Sequence, residues 1–299
     1  MEILVSGSRG LVGAALVPAL ESGGHRVRRL VREGGEGNDC IVWQPEAGRI
    51  EREKLAGIDA VIHLAGEPIT GRWTAAKKQR IRQSRIAGTR LLAETLAQLS
   101  PRPRVFLCAS AIGYYGDRAD TWLDEDSALG TGFLAEVCRD WEAAADPARV
   151  AGIRVATMRL GVVLSRHGGA LGAMLLPFRL GFGGRVGTGQ QWWSWISIED
   201  VVGGIQHALT AETLSGPVNL VAPQPVTNTE FTHALGRVLR RPAILPAPAA
   251  LLRLALGEMA DGLLLSSARV RPARLLASGY QFRQSELTPA LRVLLEIQD

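Results

Sequence analysis

A doubly wound α/β fold with a parallel sheet is predicted by three features of this 299-residue sequence. The chain begins with a short apolar run, a glycine-rich turn and an apolar segment that is compatible with a helix. Further apolar runs alternate with helical segments, which is typical of strands buried on both faces of a parallel sheet. The composition, 46% hydrophobic and 21% charged, supplies enough apolar residues for a sizeable core.

The first strand, turn and helix predict a dinucleotide-binding site. Ile3–Val5 predicts the strand, glycines follow at positions 7, 10 and 13, and a helical segment is predicted over Leu11–Leu20. In such a motif the first glycine permits a tight turn, the second lets the backbone approach a pyrophosphate, and the third lets the helix pack closely on the strand. The N–H groups at the helix start then face the phosphates. The expected cofactor contacts in this segment are Gly7, Ser8, Arg9, Gly10, Leu11, Val12 and Gly13.

The second predicted strand, over residues 24–32, bears on the choice of cofactor because its end normally faces the adenosine ribose. An acidic residue there suits the 2′-hydroxyl of NAD, whereas the 2′-phosphate of NADP needs a cation. The strand ends in Val31 and Arg32, with no acid, and Arg9 can approach the same phosphate from the turn. Either arginine alone could be an ordinary surface residue, but two guanidiniums at one position suit a phosphate dianion. Together they favour NADP(H) over NAD(H).

The remaining strands and helices of the sheet follow in alternation. A loop is predicted over residues 33–40, strands over 41–43, 59–66, 104–110 and 153–164, and helices over 74–99 and 131–145. The strand over 59–66 ends in the small residues Ala65 and Gly66, which leave room for a ligand at the carboxyl end of the sheet. His63 within it has no partner at metal-ligand spacing, so a core histidine is favoured over a metal ligand and no metal site is predicted.

From about residue 165 the sequence predicts a smaller α+β lobe. Residues 168–189 are glycine-rich and are predicted to be irregular, a helix is expected over 199–210, and the tail from Thr227 is mostly helical. A strand over 218–221 could rejoin the main sheet. We therefore expect an NADP-binding domain, Rossmann-like, over residues 1–165 and a substrate lobe with a helical C-terminal region over 166–299. Tryptophans at positions 192, 193 and 195 could stack on a ligand or fill the join between the lobes.

Composition excludes several other classes of function. The net charge of +5 comes from scattered basic residues, and the one cluster, over residues 72–85, lies on a predicted amphipathic helix, so a solvated face is favoured over nucleic-acid binding. No apolar stretch is long enough to span a membrane, and the N-terminus does not resemble a signal peptide. Three cysteines without metal or redox spacing predict buried thiols in a reducing compartment. A cytoplasmic protein is expected.

The chemistry is harder to predict, because nicotinamide enzymes of this fold usually rely on a tyrosine and a lysine four residues apart on a helix. The three tyrosines, at positions 114, 115 and 280, are followed four residues later by Arg118, Ala119 and Gln284. The candidate catalytic residues are therefore Ser110, Tyr114 and Tyr115, which follow a buried strand. Ser110 could equally cap the strand turn while a tyrosine packs on the loop. Glu67 could reach the cleft as a base or could be a solvated loop acid.

The chain resembles the atypical epimerase-like family of the extended short-chain dehydrogenase/reductase superfamily, in its NAD-dependent epimerase/dehydratase branch. The motifs that carry the resemblance are His63-Leu-Ala-Gly-Glu67, Arg72-Trp-Thr with Ser84-Arg85, Ser110-Ala-Ile-Gly-Tyr-Tyr-Gly116, Trp141-Glu142, Arg159-Leu-Gly-Val-Val-Leu164, Trp195-Ile-Ser-Ile-Glu-Asp200 and Gly279-Tyr-Gln-Phe282. It implies NADP(H) binding with Arg32 at the 2′-phosphate, Leu64 and Ala65 beneath the cofactor, Arg85 reaching back to it and Val163 at the nicotinamide end. Ser197 departs from the family, whose members usually have histidine at that position.

Three functions are compatible with these residues. The first is an NADP(H)-dependent oxidoreductase or epimerase-like enzyme of atypical mechanism, acting on an unknown small molecule. The second is a nucleotide-sugar epimerase or dehydratase, in which a residue such as Glu67 would have to act as the base. The third is an NADPH-binding sensor or partner-binding protein without catalysis, which the missing Tyr-Lys pair favours. Members of the superfamily often dimerise through a helix bundle, so a homodimer is one expectation.

Overall fold

The computed structural model describes residues 1–32 and 39–297, so most of the loop predicted over 33–40 lies outside the described residues. The strands in this part of the chain are β1 Glu2–Ser6, β2 Arg26–Val31, β3 Cys40–Gln44, β4 Arg49–Ile50, β5 Ala60–His63, β6 Val105–Ala111, β7 Trp122–Leu123, β8 Arg154–Leu160, β9 Val162–Ser165, β10 Trp192–Trp193, β11 Trp195–Ser197, β12 Gly216–Leu220, β13 Val226–Thr227 and β14 Arg269–Val270. The α-helices are α1 Leu11–Ser22, α2 Ala75–Ala97, α3 Phe133–Ala143, α4 Asp146–Val150, α5 Gly169–Arg179, α6 Ile198–Thr210, α7 Asn228–Val238, α8 Ala249–Leu256, α9 Ala273–Ala277 and α10 Leu287–Leu295.

Eight strands form the main sheet, in the order β12-β8-β6-β5-β1-β2-β3-β4. Every pairing is parallel except that of β3 with β4, which confirms the predicted doubly wound sheet. Ser6 at the end of β1 lies opposite both Leu30 of β2 and His63 of β5, so these three strands end at one edge. The strand order reverses between β1 and β5. In sheets of this kind ligands bind in the crevice at that reversal, beyond the carboxyl ends of the strands.

Both faces of the sheet are buried, as the apolar strand sequences predict. Ile3 and Val5 belong to a core that α1 and α6 complete on one face. Leu4, between them, belongs to the core on the other face, to which α2, α3 and α4 contribute. Because successive side chains of a strand point to opposite faces, a strand covered on both sides must be apolar throughout. The glycine-rich turn is thereby held at the end of a fully buried strand.

A third hydrophobic cluster lies in the C-terminal lobe and joins α5, α7 and α10. Trp193 and Trp195 are part of it and are 7% and 0% exposed, so these two indoles fill the lobe interior. Trp192 instead stacks on the guanidinium of Arg269, 4.0 Å from the ring centroid. The strand predicted over 218–221 is β12, which pairs with β8 at the edge of the main sheet. The division of the chain at residue 165 stays a prediction.

Two predicted elements differ from the structure. The strand predicted over 153–164 is divided at Gly161 into β8 and β9, and β9 pairs with β11 outside the main sheet. A Cβ at Gly161 would lie 2.5 Å from the Ser194 carbonyl oxygen, so the crossing chain passes too close for any side chain there. Within the segment predicted to be irregular, α5 forms with Pro177 inside it. The buried side chains of Leu171, Leu175 and Phe178 attach this helix to the third cluster.

Candidate dinucleotide-binding site

The glycine-rich turn between β1 and α1 requires glycine at its closest contacts. Gly7 has a φ of 70°, and its carbonyl accepts the N–H of Gly10 at 3.0 Å. A Cβ at Gly13 would lie 2.2 Å from the Gly7 oxygen, and a Cβ at Gly7 would lie 2.7 Å from the Leu64 carbonyl carbon. The turn is therefore pressed between the start of α1 and the end of β5. Side chains at these two positions would force the backbone apart.

The first turn of α1 has no side-chain cap. Its N-cap, Gly10, offers no hydrogen-bonding side chain, and no acidic residue lies in the first turn. Among the described helices α3, α5, α8 and α10 also lack a side-chain cap, whereas α2, α6 and α7 are capped by the hydroxyls of Thr74, Ser197 and Thr227. The first N–H groups of a helix have no intrahelical acceptor, and they sit at the positive end of the helix dipole. At α1 these donors follow directly on the turn at the carboxyl end of β1, a position that suits an anionic ligand.

Ser6 organises the end of β5 and was not identified from the sequence. Its hydroxyl oxygen accepts the N–H groups of Leu64 at 3.2 Å and Ala65 at 3.3 Å, and it lies 2.6 Å from Nδ1 of His63. Since the oxygen already accepts two N–H groups, its proton is donated to His63. Burial lowers the pKa of His63 to about 3, so the ring is neutral. Leu64 and Ala65 are left partly exposed as the floor of the crevice. The only indication in the sequence was a hydroxyl at the end of an otherwise apolar strand.

The two arginines expected at the 2′-phosphate are both exposed. Arg9 has no hydrogen bond or ion pair with any described residue. Arg32 follows Val31 at the end of β2 and lies 3.6 Å from the Glu46 carboxylate, with side-chain exposures of 56% and 67%. An ion pair this exposed contributes little free energy. Both guanidiniums are therefore available to an anion, and Arg32 has one competing carboxylate.

Arg85 projects from α2 onto the end of β5. Its Nη1 donates to the carbonyls of Glu67 at 2.9 Å and Ile81 at 3.2 Å, and its guanidinium carbon lies 5.0 Å from the Trp141 ring centroid. A Cβ at Gly66 would lie 3.4 Å from that carbon, so Gly66 leaves the guanidinium room. No carboxylate of the described residues pairs with Arg85, and burial lowers its pKa. An unpaired, half-buried cation thus borders the crevice.

The lobe meets the turn near Val163. Val163 is partly buried in β9, beyond the end of β8. A Cβ at Gly169, the first residue of α5, would lie 2.9 Å from Leu11 Cδ2 and 3.4 Å from the Val163 carbonyl oxygen. The start of α5 therefore packs directly on the glycine-rich turn.

Ser110 belongs to a buried cluster that we call the Arg159 network, consisting of Ser110, Tyr115, Glu142, Arg159 and Asn219. Ser110 is 1% exposed, and its hydroxyl donates to Glu142 Oε1 at 2.7 Å. Arg159 donates to both oxygens of the same carboxylate, from Nε at 2.8 Å and from Nη2 at 2.9 Å. The side chains of Arg159 and Glu142 are 3% and 13% exposed. The Ser110 hydroxyl is thus committed to a buried ion pair.

The two adjacent tyrosines have different surroundings. The Tyr115 hydroxyl donates to Asn219 Oδ1 at 2.7 Å and accepts from Arg159 Nη1 at 3.0 Å, and burial raises its pKa to about 12. Tyr114 is partly exposed, and its ring lies against the Arg159 guanidinium, 3.5 Å from the centroid. All three sequence-predicted catalytic candidates therefore meet at Arg159. The sequence indicated this only through a charged residue in an apolar strand.

The helix α3 lies where the missing tyrosine and lysine would be sought. Leu134 and Cys138, four residues apart, face Gly113, where a Cβ would lie 3.2 Å from Leu134 Cβ and 3.9 Å from Cys138 Sγ. Burial raises the pKa of Cys138 to about 12, so the thiol is neutral. This pair supplies neither a phenol nor an ammonium group. It therefore cannot replace the usual proton relay.

Glu67, the other candidate base, is held by two cations. Its carboxylate lies 2.8 Å from Lys77 Nζ and 3.5 Å from Arg80 Nε. The hydrogen bond from Lys77 lowers the pKa of Glu67, so the group is a weaker base than an ordinary glutamate. A base for proton abstraction near neutral pH needs a raised pKa instead.

The chain matches two family models and several solved structures, which together cover nearly all of its length. Residues 3–220 match the NAD dependent epimerase/dehydratase family, and residues 247–294 match a domain of unknown function, DUF1731. An epimerase family protein of Mycobacterium bovis is 44% identical over 290 residues, which cover 97% of this chain and 96% of the relative.

Two solved structures are similar in both sequence and fold. The crystal structure of the human epimerase family protein SDR39U1 (isoform 2) with NADPH is 36% identical, with a TM-score of 0.89 and full coverage of both chains. The nucleoside-diphosphate sugar epimerase from Corynebacterium glutamicum is 38% identical, with a TM-score of 0.81, over 99% of this chain and 58% of that one. The resemblance predicted from the motifs is thus confirmed: the chain belongs to the NAD dependent epimerase/dehydratase family.

Proposed function

We propose that this chain binds NADP(H) across the carboxyl edge of its sheet. The observation that carries the proposal is the glycine-rich turn between β1 and α1, where close contacts at Gly7 and Gly13 admit only glycine and the helix start has no side-chain cap. The pyrophosphate would lie there, bound by the backbone of residues 7–13. Arg9 and Arg32 would bind the 2′-phosphate, because both guanidiniums are exposed and neither has a strong partner. The human relative whose structure contains NADPH supports the same choice of cofactor.

The rest of the cofactor would follow the ends of β5 and β8. Leu64 and Ala65, held by Ser6, would form the floor beneath it. Arg85, beside Gly66, offers an unpaired guanidinium to a phosphate or ribose oxygen. Val163 would line the nicotinamide end.

We infer a redox reaction on a small molecule that has a carbonyl or alcohol carbon. When bound, the nicotinamide would supply or accept the hydride. Among the three predicted catalytic residues, Tyr114 is the one whose surroundings suit contact with a substrate, since it is partly exposed and adjoins the Arg159 cation. Ser110 and Tyr115 would hold Arg159 in place behind it.

A second candidate is a non-catalytic NADPH-binding sensor or partner-binding protein. The Arg159 network favours it, because Ser110 and Tyr115 are already hydrogen-bonded within the protein and α3 presents Leu134 and Cys138 instead of a proton relay. A nucleotide-sugar epimerase or dehydratase has less support. Its base would be Glu67, which is ion-paired with Lys77. Its remaining support is the name of the Corynebacterium relative.

Calorimetric titration with NADPH and NADH tests the cofactor, and a panel of carbonyl compounds tests the reaction. We expect tighter binding of NADPH, and equal affinity for the two would contradict the roles of Arg9 and Arg32. Oxidation of NADPH by a panel member, followed by absorbance and lost in Tyr114→Phe, would support the enzyme. If no compound oxidises bound NADPH and Tyr114→Phe leaves the background rate unchanged, the sensor is favoured.

We further propose a cytoplasmic location and a homodimer. No helix in the described part of the chain has the length and apolar character needed to cross a membrane. Cys40, Cys108 and Cys138 are all free thiols, which agrees with the reducing, cytoplasmic location that the sequence predicts. Size-exclusion chromatography with light scattering tests the expected homodimer.

A further inference from the structure

A cavity of about 330 Å³ lies in the C-terminal lobe, and no residue of the dinucleotide crevice lines it. It is open to solvent on one side and is bordered by the segment that precedes β10, the start of α7 and the segment that precedes α8. Arg185, Thr229, Thr232 and His233 form its polar side, and Ile244 and Pro246 contribute to its apolar side. The proposed cofactor site does not account for a cavity that has one polar, basic side and one apolar side.

The hydroxyls in the cavity lack partners. Thr232 is 2% exposed, and its hydroxyl makes no hydrogen bond with any described residue. The Thr229 hydroxyl is also buried and unpartnered, although the backbone N–H of Thr229 donates to the Gly189 carbonyl at 2.9 Å. A Cβ at Gly189 would lie 2.1 Å from that hydroxyl, so the backbone of Gly189 packs against it and a side chain there would collide with it. Buried polar groups in proteins are normally hydrogen-bonded, and the unpartnered Thr229 hydroxyl therefore indicates a missing partner.

The charge of the cavity is positive. The one hydrogen bond of the Arg185 guanidinium is to the Thr188 carbonyl, at 3.3 Å, and no carboxylate of the described residues pairs with it. His233 likewise has no partner within the described structure, and no aspartate or glutamate lines the cavity. A guanidinium, an imidazole and two hydroxyls together can supply several donors to the oxygens of one anion.

We propose that this cavity binds a small oxyanion that carries a short apolar group. The oxyanion would be bound by Arg185, Thr229 and Thr232, with His233 beside it. The apolar group would lie against Ile244, whose side chain is 79% exposed, and Pro246. The ligand class is thus a phosphate monoester or carboxylate with a small hydrocarbon part, bound in a site separate from the cofactor crevice.

Histidine NMR signals offer a direct test, because the chain has only five histidines. Inorganic phosphate is added to the full chain in the presence of NADPH, and His233→Asn assigns the signal of His233. We expect phosphate to shift the His233 signal and to leave the other four in place. No shift of that signal would overturn the proposal. The test does not need NADPH to bind, so it is independent of the proposed cofactor.

Variants then define the contacts. Arg185→Met should weaken phosphate binding about tenfold or more, because it removes a charged donor, and Thr232→Val should weaken it about threefold. The matched control is Arg237→Ala, because Arg237 is an exposed arginine of α7 that lies outside the cavity. This variant should bind phosphate as the wild type does. Equal phosphate affinity in Arg185→Met and Arg237→Ala would contradict the site. NADPH affinity should be the same in all three variants.

Two further probes separate the anion from its apolar part. Butyl phosphate should bind more tightly than inorganic phosphate, by about threefold for each methylene that is buried. The Ile244→Ser variant should remove that gain and leave the affinity for inorganic phosphate unchanged. Butanoate, compared at the same pH, distinguishes a carboxylate site from a phosphate site. If the butyl group adds no affinity, the apolar half of the proposal is wrong.

Discussion

The dinucleotide crevice and the Arg159 network lie at the ends of neighbouring strands, but they differ in how far the protein satisfies its own polar groups. At the crevice, α1 lacks a cap, and Arg9 and Arg85 lack a carboxylate. In the Arg159 network, Ser110 and Tyr115 are both hydrogen-bonded to buried partners. The crevice therefore leaves hydrogen-bond donors and cations available to an anion. In the Arg159 network the corresponding polar groups are already paired within the protein. The structure therefore gives more support to cofactor binding at the crevice than to catalysis by Ser110 and Tyr115.

Two arginine–glutamate pairs, one in each region, differ in burial. Arg32 and Glu46 are more than half exposed and 3.6 Å apart, so solvent screens them. Arg159 and Glu142 are nearly buried and make two short hydrogen bonds. Removal of one member of a buried pair leaves an uncompensated charge in a medium of low dielectric constant. Substitutions in the Arg159–Glu142 pair should therefore lower stability, whereas substitutions in the Arg32–Glu46 pair should change cofactor binding and leave stability nearly unchanged.

The largest expected effect is that of Glu142→Ala on stability. It should lower the free energy of unfolding by about 3–5 kcal/mol, because Arg159 loses its buried counter-ion and Ser110 its acceptor. The measurement is urea unfolding at neutral pH, followed by circular dichroism. Glu46→Ala is the matched control and should change stability by less than about 0.5 kcal/mol. Equal losses in the two variants would remove the distinction between the pairs.

Acid should destabilise the folded protein by protonating His63, which lies beneath the crevice, on unfolding. Because the pKa of His63 is about 3 in the folded chain and about 6.5 in the unfolded one, the unfolded state takes up a proton first as the pH falls. The contribution of neutral His63 to the free energy of unfolding is complete above pH 6.5 and is lost as the pH falls towards 3. At pH 5 the loss is about 2 kcal/mol. Urea unfolding between pH 7 and pH 5 measures it. His63→Asn should lose this part of the pH dependence, and an unchanged slope in that variant would refute the assignment.

Arg32→Ala should act on binding without an effect on folding. We expect NADPH affinity to fall about ten- to a hundredfold, because a charge-assisted contact to the 2′-phosphate is removed, while NADH affinity should not change. Glu46→Ala should tighten NADPH binding about two- to threefold, since a competing exposed carboxylate is removed. Calorimetric titration of both variants with both cofactors provides the comparison. A parallel loss of NADH affinity in Arg32→Ala would indicate a general defect of the site.

The smallest effects should distinguish the adjacent tyrosines. Tyr115→Phe should cost about 1–3 kcal/mol of stability, because Asn219 and Arg159 each lose a buried hydrogen-bond partner. Tyr114→Phe should change stability by less than about 0.5 kcal/mol, since Tyr114 is partly exposed and its hydroxyl has no partner among the described residues. Thermal unfolding of the two single variants is sufficient. A destabilised Tyr114→Phe would place its hydroxyl inside the network as well.

The sequence predicted those parts of the fold that depend on local patterns. The apolar strands and the spacing of Gly7, Gly10 and Gly13 are readable because a strand buried on both faces and a tight turn constrain neighbouring residues directly. The helix α5 was missed because its glycines and Pro177 favour irregular structure locally, whereas its packing against the third cluster decides the outcome.

The contacts that define the candidate site are long-range and leave little trace in sequence spacing. Ser6 meets His63 only because β1 and β5 are adjacent, although 57 positions separate them. Arg159 meets Glu142 only because β8 lies beside β6 and α3 packs near both. No local rule relates such residues, so the sequence could name Ser110 and the tyrosines without revealing that Arg159 joins them.

The position of β12 has a consequence for how the protein is made. This strand completes the edge of the main sheet beside β8, and its Asn219 accepts the hydrogen bond from Tyr115, yet it follows the whole first part of the lobe in the chain. During synthesis the edge of β8 stays unpaired, and the Tyr115 hydroxyl lacks its acceptor Asn219, until residues 216–220 leave the ribosome. Exposed strand edges are sites of aberrant association. A nascent chain stalled or truncated at residue 165 would therefore be prone to aggregation, and we expect such fragments to depend on chaperones.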